Sequence, residues 1–597
     1  MKGKFKINGV VKAVFLSPFF WIIFAGLAVY FRSLFFGYTF DDGQLILNNR
    51  QYLGDWHNIY TAFTRNPYWN TNLSYYRPVL TLSFMADYVW AGINPFSFHL
   101  SNILFHLINC ILVFILLTKL GLKRSLSFCW TLIFTVHPLF SQVVAWIPGR
   151  NDSLLSLFTL ASWIMLIEYS QKKMAVFLAV QAVFLSLALL TKETAVLLPI
   201  MLLAYWLLIA RERFLSKNTL TMLVVWGILL AIYSSVRWTI FGPSQMKLYG
   251  LKDCMIGLLS YAGKTLIPVN LSVMPVNIDV NIYYGLAVIL SFIIAVVILH
   301  IKDKRLFWFG MAWTILFLVP TFVQVTDFPH FLEHRFYLPA LGIPLFASQI
   351  KLGIAGSATW SKARSAVCLL IIILLAAVNF SYNKVFTDSR SFWKNAATGS
   401  PHNYFVHYML GLVYYNQNDL ESAETEFNRV LQIKPNSKWT YDNLAKIHER
   451  KGQIADAEED YRQAVYLFPN DPVMHNNYGT FLLTQKRWEE AEKEFTTARD
   501  LIDQQTKPQD CSVIYYNLAL LDVMNSRLEN ARDNLEKAVL YSKYDYKSLE
   551  LLANVSFQLG DTPKAAEYYY RAMRHGLTPD KKVLEIIRSH LPQKGQD

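Results

Sequence analysis

Long apolar runs separated by short charged connections fill the first two thirds of the chain, and a helical pattern with a repeat fills the last third. The first run ends at about Phe36. Others read at about 99–119, 125–146, 152–170, 174–191, 194–210, 219–240, 282–301, 306–324, 335–350 and 366–381, since a span needs roughly 20 mainly apolar residues. Basic clusters fall on alternate connections: Lys119/Lys123/Arg124, Lys172/Lys173, Arg211/Arg213/Lys217, Lys302/Lys304/Arg305 and Lys351/Lys362/Arg364. Such clusters mark the cytoplasmic side, which predicts about eleven spans, the N-terminus inside and the chain after Ser381 outside. Lys2, Lys4, Lys6 and Lys12 ahead of the first run resemble the start of a signal peptide, but no small-residue cleavage site follows. An uncleaved first helix is therefore expected. A full crossing at 253–270 would break the charge alternation, so that stretch is read as a re-entrant or surface-lying helix on the outer side.

Beyond the last run the period changes to about 34 residues. Gly411, Ala423, Phe427 and Pro435 recur as Ala445, Ala457, Tyr461 and Pro469, then as Gly479, Ala491 and Phe495. Ala519, Ala531 and Ala538 follow, then Ala553, Ala565, Tyr569 and Ala572. This is the tetratricopeptide (TPR) pattern, in which small residues let paired helices approach and an aromatic fills the gap between repeats. Five repeats are predicted at 404–437, 438–471, 472–505, 512–545 and 546–579, with a capping helix at 580–592. The fold class expected is all-α: a polytopic membrane bundle over 1–384 and a TPR α-solenoid over 385–597, whose concave face suits a peptide or protein partner.

Composition agrees with a membrane protein: 53% of residues are hydrophobic and 15% aromatic, with a mean hydropathy of +0.26. The net charge of +13 could point to nucleic acid, but its distribution argues against that. Residues 401–597 carry 24 Lys and Arg against 29 Asp and Glu, while residues 1–400 carry 32 against 14. The basic excess thus belongs to the cytoplasmic connections, and no nucleic-acid partner is expected. Cys110, Cys129, Cys254, Cys368 and Cys511 show no CxxC and no metal-ligand spacing, so neither a disulfide framework nor a thiolate metal site is expected.

Candidate chemistry gathers on the predicted outer side. The long polar, aromatic loop at 37–98 opens with adjacent acids, Asp41 and Asp42, directly after the first span, where a charge must be hydrated or useful. His99, Asn102, His106 and Asn109, spaced 3, 4 and 3, fall on one face of the next helix and must face the bundle or a cavity. Interhelical hydrogen bonding is the alternative role for that stripe. Arg77, His137, Arg150 with Asp152, Lys192 with Glu193, and Glu333-His334-Arg335 also fall outside by the same topology. Several cations with two acids suit a reaction that binds a phosphate and takes a proton from an acceptor.

An ordered set of motifs carries a resemblance: Phe40-Asp41-Asp42, Tyr76-Arg77-Pro78, the run Gly92 to Asn102, Val136-His137-Pro138, Val144-Ala145-Trp146-Ile147, Gly149-Arg150, Thr191-Lys192-Glu193-Thr194 and Arg335-Phe336-Tyr337-Leu338-Pro339. Followed by TPRs, this set resembles the transmembrane-and-TPR (TMTC-type) O-mannosyltransferases and their bacterial relatives. The resemblance implies a GT-C glycosyltransferase with a polyprenyl-phosphate sugar donor, a protein or glycan acceptor held outside the membrane, and an acid of the first outer loop as base. Asp41 or Asp42 then takes the acceptor proton, with Asp42 favoured. Arg335, Lys192 and Arg77 are the candidates for the donor phosphate, and His99, Asn102, His137, Arg150, Glu193 and Glu333 line the site. Paired acids could also hold a divalent metal, which some GT-C branches use. Where an acid is expected a few residues after the His-Pro pair, this chain has Gln142. The setting expected is a bacterial inner membrane, N-terminus cytoplasmic and repeats periplasmic, or the endoplasmic reticulum lumen as its equivalent. A non-enzymatic TPR scaffold for envelope assembly is the alternative; it has no need of a polar stripe beside an acid pair.

Overall fold

The computed structural model describes residues 17–67, 75–242, 247–324, 331–351 and 358–578. Lys2, Lys4, Lys6 and Lys12 and the capping helix expected at 580–592 lie outside the described residues. Two compact units are present, residues 1–406 and 407–597.

The first unit is a bundle of apolar helices. Among the described residues six segments are long and apolar enough to cross a membrane: Pro18–Phe35, Pro95–Lys119, Ile147–Lys172, Lys217–Phe241, Lys304–Phe322 and Ser365–Phe386. Arg124–Val136 and Pro138–Ala145 form an apolar helix pair bent by 51°, a broken span or a re-entrant loop. The bend falls at His137-Pro138, where the proline ring and its missing N–H break the helical ladder. Ala175–Leu189, Glu193–Ile209 and Tyr283–Ile298 are apolar but shorter. The run at 335–350 is not one helix. Pro339 and Pro344 start separate short turns, Pro339–Gly342 and Ile343–Ala347, so an apolar stretch long enough by composition is broken by its prolines. The stretch read as lying at the surface or re-entering forms the 16-residue helix Leu251–Leu266.

Cys129 and Cys368, 239 residues apart, are joined by a disulfide between two of these helices. This corrects the expectation of no disulfide. Sequence spacing reveals local cysteine motifs and is blind to a pair that helix packing brings together. Opposite charges tie helix ends together: Lys119 pairs with Glu168, and Lys173 with Glu212.

The second unit, with the helix that leads into it, is a stack of helix pairs: Tyr404–Asn416 with Leu420–Ile433, Lys438–Lys451 with Ile454–Leu467, Pro472–Thr484 with Trp488–Asp500, Pro508–Met524 with Leu528–Tyr541, and Tyr546–Gln558 with Thr562–Arg574. Ala423, Phe427, Ala457, Tyr461, Ala491, Phe495, Ala531, Ala565 and Tyr569 are all buried. The small positions are required by contact. A Cβ on Gly411 would meet the Phe427 ring at 2.8 Å, and one on Gly479 the Phe495 ring at 2.8 Å.

Candidate active site

The turn that carries the two acids is held at several points. Gly37 donates its N–H to Thr387 O at 2.9 Å, and the Tyr38 hydroxyl donates to Ile93 O at 2.8 Å. Phe40 has φ of 43°, a left-handed conformation unfavourable for a bulky residue. Packing offsets that cost, because its ring lies among Trp146, Phe392 and Trp393 at centroid distances of 6.4, 6.0 and 4.9 Å. The turn directs Asp42 inward. Its side chain accepts the Thr39 N–H at 2.6 Å through Oδ2, while Oδ1 is buried without a hydrogen-bond partner among the described residues. Burial, reinforced by the neighbouring Asp41 carboxylate, holds the Asp42 pKa well above the ordinary range despite the Thr39 hydrogen bond. Asp41 is half-buried, so of the two acids it is the more accessible.

Three cations meet beyond Trp146. Arg77 donates from Nε and Nη2 to Glu193 Oε2 at 3.2 and 3.0 Å, and the Tyr76 N–H caps Oε1 of the same carboxylate at 3.0 Å. Lys192 donates to Asp152 Oδ1 at 2.6 Å and to Asn151 Oδ1 at 3.3 Å. Burial lowers its pKa, Asp152 opposes, and the Arg77 and Arg335 charges push further down. Arg335 has no carboxylate partner among the described residues; Nη1 donates to Thr321 O at 3.2 Å. His334 lies against this group, its Nε2 3.9 Å from Asp152 Oδ2 and its ring 5.6 Å from that of Trp146. Burial and then the charges of Lys192, Arg335 and Arg77 hold His334 neutral. The backbone N–H of His334 donates to Gln142 Oε1, and Gln142 Nε2 donates to Val273 O. The residue that departs from the expected acid is therefore a neutral strut under the cationic group.

The polar stripe is buried, as its spacing predicts: His99, Asn102, His106 and Asn109 are all at most 1% exposed. Asn102 donates to the carbonyls of Val144, Trp146 and Ile147 and accepts from Arg150 Nε at 2.7 Å. Arg150, fully buried, pairs with Asp87 at 2.5 Å and donates to Phe98 O and Ser83. Asp87 was not singled out in the sequence; the signal was an acid inside the otherwise apolar helix Pro78–Ala91. Gly149 lets this turn close. A Cβ there would stand 2.2 Å from Gln142 O. Asp87, Arg150 and Asn102 together fix the backbone that presents Trp146. His99 packs edge-on against Phe36, with ring centroids 6.2 Å apart.

Two other candidates are tied into the fold. His137 bonds Thr265 O at 3.0 Å and accepts the Leu139 N–H. Glu333 is turned away from Arg335, accepting from Lys264 Nζ at 2.8 Å, Ser272 N at 3.1 Å and the Tyr382 hydroxyl at 3.1 Å. Among the described residues no three His, Cys, Asp or Glu side chains are disposed to hold a metal ion.

Known proteins resemble the chain in both parts. Tetratricopeptide repeat models match residues 404–437, 440–471, 471–539 and 516–580. The solved structure of Pseudomonas aeruginosa pilF is 23% identical over 32% of this chain and 89% of that one, at a TM-score of 0.29. The Xenopus laevis protein O-mannosyl-transferase tmtc2 is 35% identical over 23% of this chain and 17% of its own length. The Homo sapiens protein O-mannosyl-transferase TMTC3 is 23% identical over 92% of this chain, which spans 63% of that protein's length. The similarity to the transmembrane-and-TPR, TMTC-type protein O-mannosyl-transferases thus runs through the membrane helices and the repeats alike.

Proposed function

We propose that the protein transfers a sugar, mannose by analogy with its relatives' names, from a polyprenyl-phosphate donor to a hydroxyl of a protein acceptor on the outer face of the membrane. The observation that carries this reading is the meeting of Arg77, Lys192 and Arg335 beside the acid turn, linked to it by the Phe40–Trp146–His334 ring contacts. Of the three cations, Arg77 and Lys192 are neutralised by Glu193 and Asp152. Arg335 has no carboxylate partner among the described residues, which makes it the first candidate ligand for a phosphate and Lys192 the second. In the reaction the acceptor oxygen attacks the anomeric carbon and its proton passes to Asp41. The bond from that carbon to the phosphate oxygen breaks, and the lipid phosphate leaves as an anion stabilised by the cations. Asp42 holds the turn from below. Attack opposite the leaving group inverts the anomeric centre. The TPR unit binds the acceptor polypeptide or a partner that delivers it.

The test is transfer of radiolabelled mannose from polyprenyl-phosphate mannose to Ser/Thr-containing polypeptides by the purified protein in nanodiscs. Wild type should form alkali-labile sugar linkages. Equal transfer by the Asp41→Asn/Asp42→Asn double variant would remove the acid turn as the base, and absence of transfer by wild type would leave the scaffold role.

A further inference from the structure

Trp146 and His334 are each buried, 7% and 5% exposed, and each has a ring nitrogen without a hydrogen-bond partner among the described residues: Trp146 Nε1 and His334 Nδ1. Buried polar atoms in folded proteins are almost always paired, so two orphans on touching rings are a signal. Their senses are opposite. An indole N–H only donates. His334 Nε2 faces the Asp152 carboxylate at 3.9 Å, which favours the proton on Nε2 and leaves Nδ1 as a lone-pair acceptor. One donor and one acceptor, with ring centroids 5.6 Å apart, match a group that both accepts and donates. A hydroxyl is such a group, whereas a phosphate oxygen can use only the donor.

We propose that Trp146 and His334 together bind a substrate hydroxyl, the indole N–H donating to its oxygen and His334 Nδ1 accepting its proton side. The location supports this. Phe40 of the acid turn stacks on Trp146 with planes 10° apart, and Asp152, which His334 faces, holds Lys192. The hydroxyl would lie between the proton acceptor and the phosphate cations, where the transferred sugar must sit if the proposed function holds, and on which this inference rests. The backbone bonds from Asn102 to the Trp146 carbonyl and from the His334 N–H to Gln142 keep both rings in place.

The hydroxyl could belong to the sugar of the donor or to the acceptor, and steady-state kinetics of the full-length protein in nanodiscs separates the two. The variants are Trp146→Phe, which keeps a ring and removes the N–H, His334→Leu, and His334→Gln, which returns an acceptor. Substrates are polyprenyl-phosphate mannose, its 2-, 3-, 4- and 6-deoxy analogues, and a Ser/Thr peptide. Loss of one neutral hydrogen bond predicts a roughly threefold to tenfold lower kcat/KM in Trp146→Phe and His334→Leu, recovered in part by His334→Gln. If the donor sugar is bound, one deoxy donor is used equally by wild type and both deficient variants. If the acceptor is bound, the defect lies in the peptide KM and every deoxy donor keeps its wild-type ranking. Any other pattern with active wild type overturns the inference alone, including wild-type kinetics in Trp146→Phe or a His334→Leu defect that Gln does not relieve. Absence of transfer by wild type overturns the functional reading and this inference with it.

Discussion

Asp41 and Asp42 are adjacent in sequence, yet the turn gives them different surroundings. Asp42 accepts the Thr39 N–H and is 1% exposed; an asparagine can still accept that bond through its side-chain oxygen. Asp41→Asn should therefore slow transfer roughly 10²- to 10⁴-fold, and Asp42→Asn distinctly less, with rates at saturating donor as the readout. Equal losses would return Asp42 to the role of base. Arg335 differs from Arg77 and Lys192 in having no acid to neutralise it among the described residues, so Arg335→Lys should weaken donor binding about tenfold or more, since a lysine lacks the planar fork. Binding of the lipid donor, measured without acceptor, checks this, and an unchanged affinity would shift the phosphate to Lys192. His334 is held neutral by burial and by the nearby cations. Its usual titration near 6.5 should be missing from the rate profile. Wild type and His334→Gln should accordingly share one pH dependence between about 6 and 8. At this scale residue types were legible and pairings were not. The stripe through Asn102 could be read from its spacing, but its bonds to the Val144–Ile147 carbonyls and to Arg150 join residues more than 40 apart. Nothing local in the sequence marks Asp87 as the partner of Arg150, or Lys264 as that of Glu333.

Elements were most legible where the pattern is periodic. In the repeats Gly411 and Gly479 lie where a Cβ would meet the Phe427 and Phe495 rings of the paired helices at 2.8 Å, so only the smallest residue fits there. Gly479→Val should overpack the contact with Phe495 by about 1–3 kcal/mol. Faster amide exchange confined to 472–500 in the full chain is the expected result. Elements were least legible where proline interrupts an apolar run. Composition alone reads 335–350 as a span, but Pro339 and Pro344 divide it, and Glu333, His334 and Arg335 lie on the separate short turn Glu333–Phe336 ahead of that break rather than inside a long helix. Gly149 has the same importance on the opposite wall. Its Cα hydrogen faces the Gln142 carbonyl, where a methyl would stand at 2.2 Å. Gly149→Ala should force the Val143–Arg150 turn apart and displace both Trp146 and the Arg150 pair. A drop in thermal stability with loss of transfer is expected, whereas Asp42→Asn, which leaves this wall alone, should keep the wild-type melting temperature.

For the whole molecule the physics of insertion and of the reaction impose a common requirement. In the proposed reaction a polyprenyl phosphate would place its charged group at the headgroup layer, so the acids and cations acting on it would have to face one compartment, and a repeat unit presenting the acceptor would have to face that compartment too. The charge pattern meets this requirement independently of the chemistry: cationic connections at 119–124, 172–173, 211–217, 302–305 and 351–364 alternate with connections that hold the candidate residues. The mixed set of long, bent and short apolar helices does not by itself set that orientation, because Ala175–Leu189 and Glu193–Ile209 are too short to count as spans by length, yet Lys192 stands between them. If both cross, with tilt or a thinned bilayer, Lys192 emerges outside beside Arg77. If they form a hairpin that turns back, the basic groups at Lys172/Lys173 and Arg211/Arg213 still share one side, so the alternation survives either arrangement. Cysteine labelling separates this topology from its inverse. In a Cys254→Ser background, with Cys110 and Cys511 buried, the exposed positions His57 and Asn525 are each replaced by cysteine. A membrane-impermeant maleimide added to intact cells or sealed spheroplasts should modify both, while Lys123→Cys should react only after permeabilisation. Modification of His57→Cys without Asn525→Cys would place the repeats across the membrane from the acid turn and exclude them from presenting the acceptor.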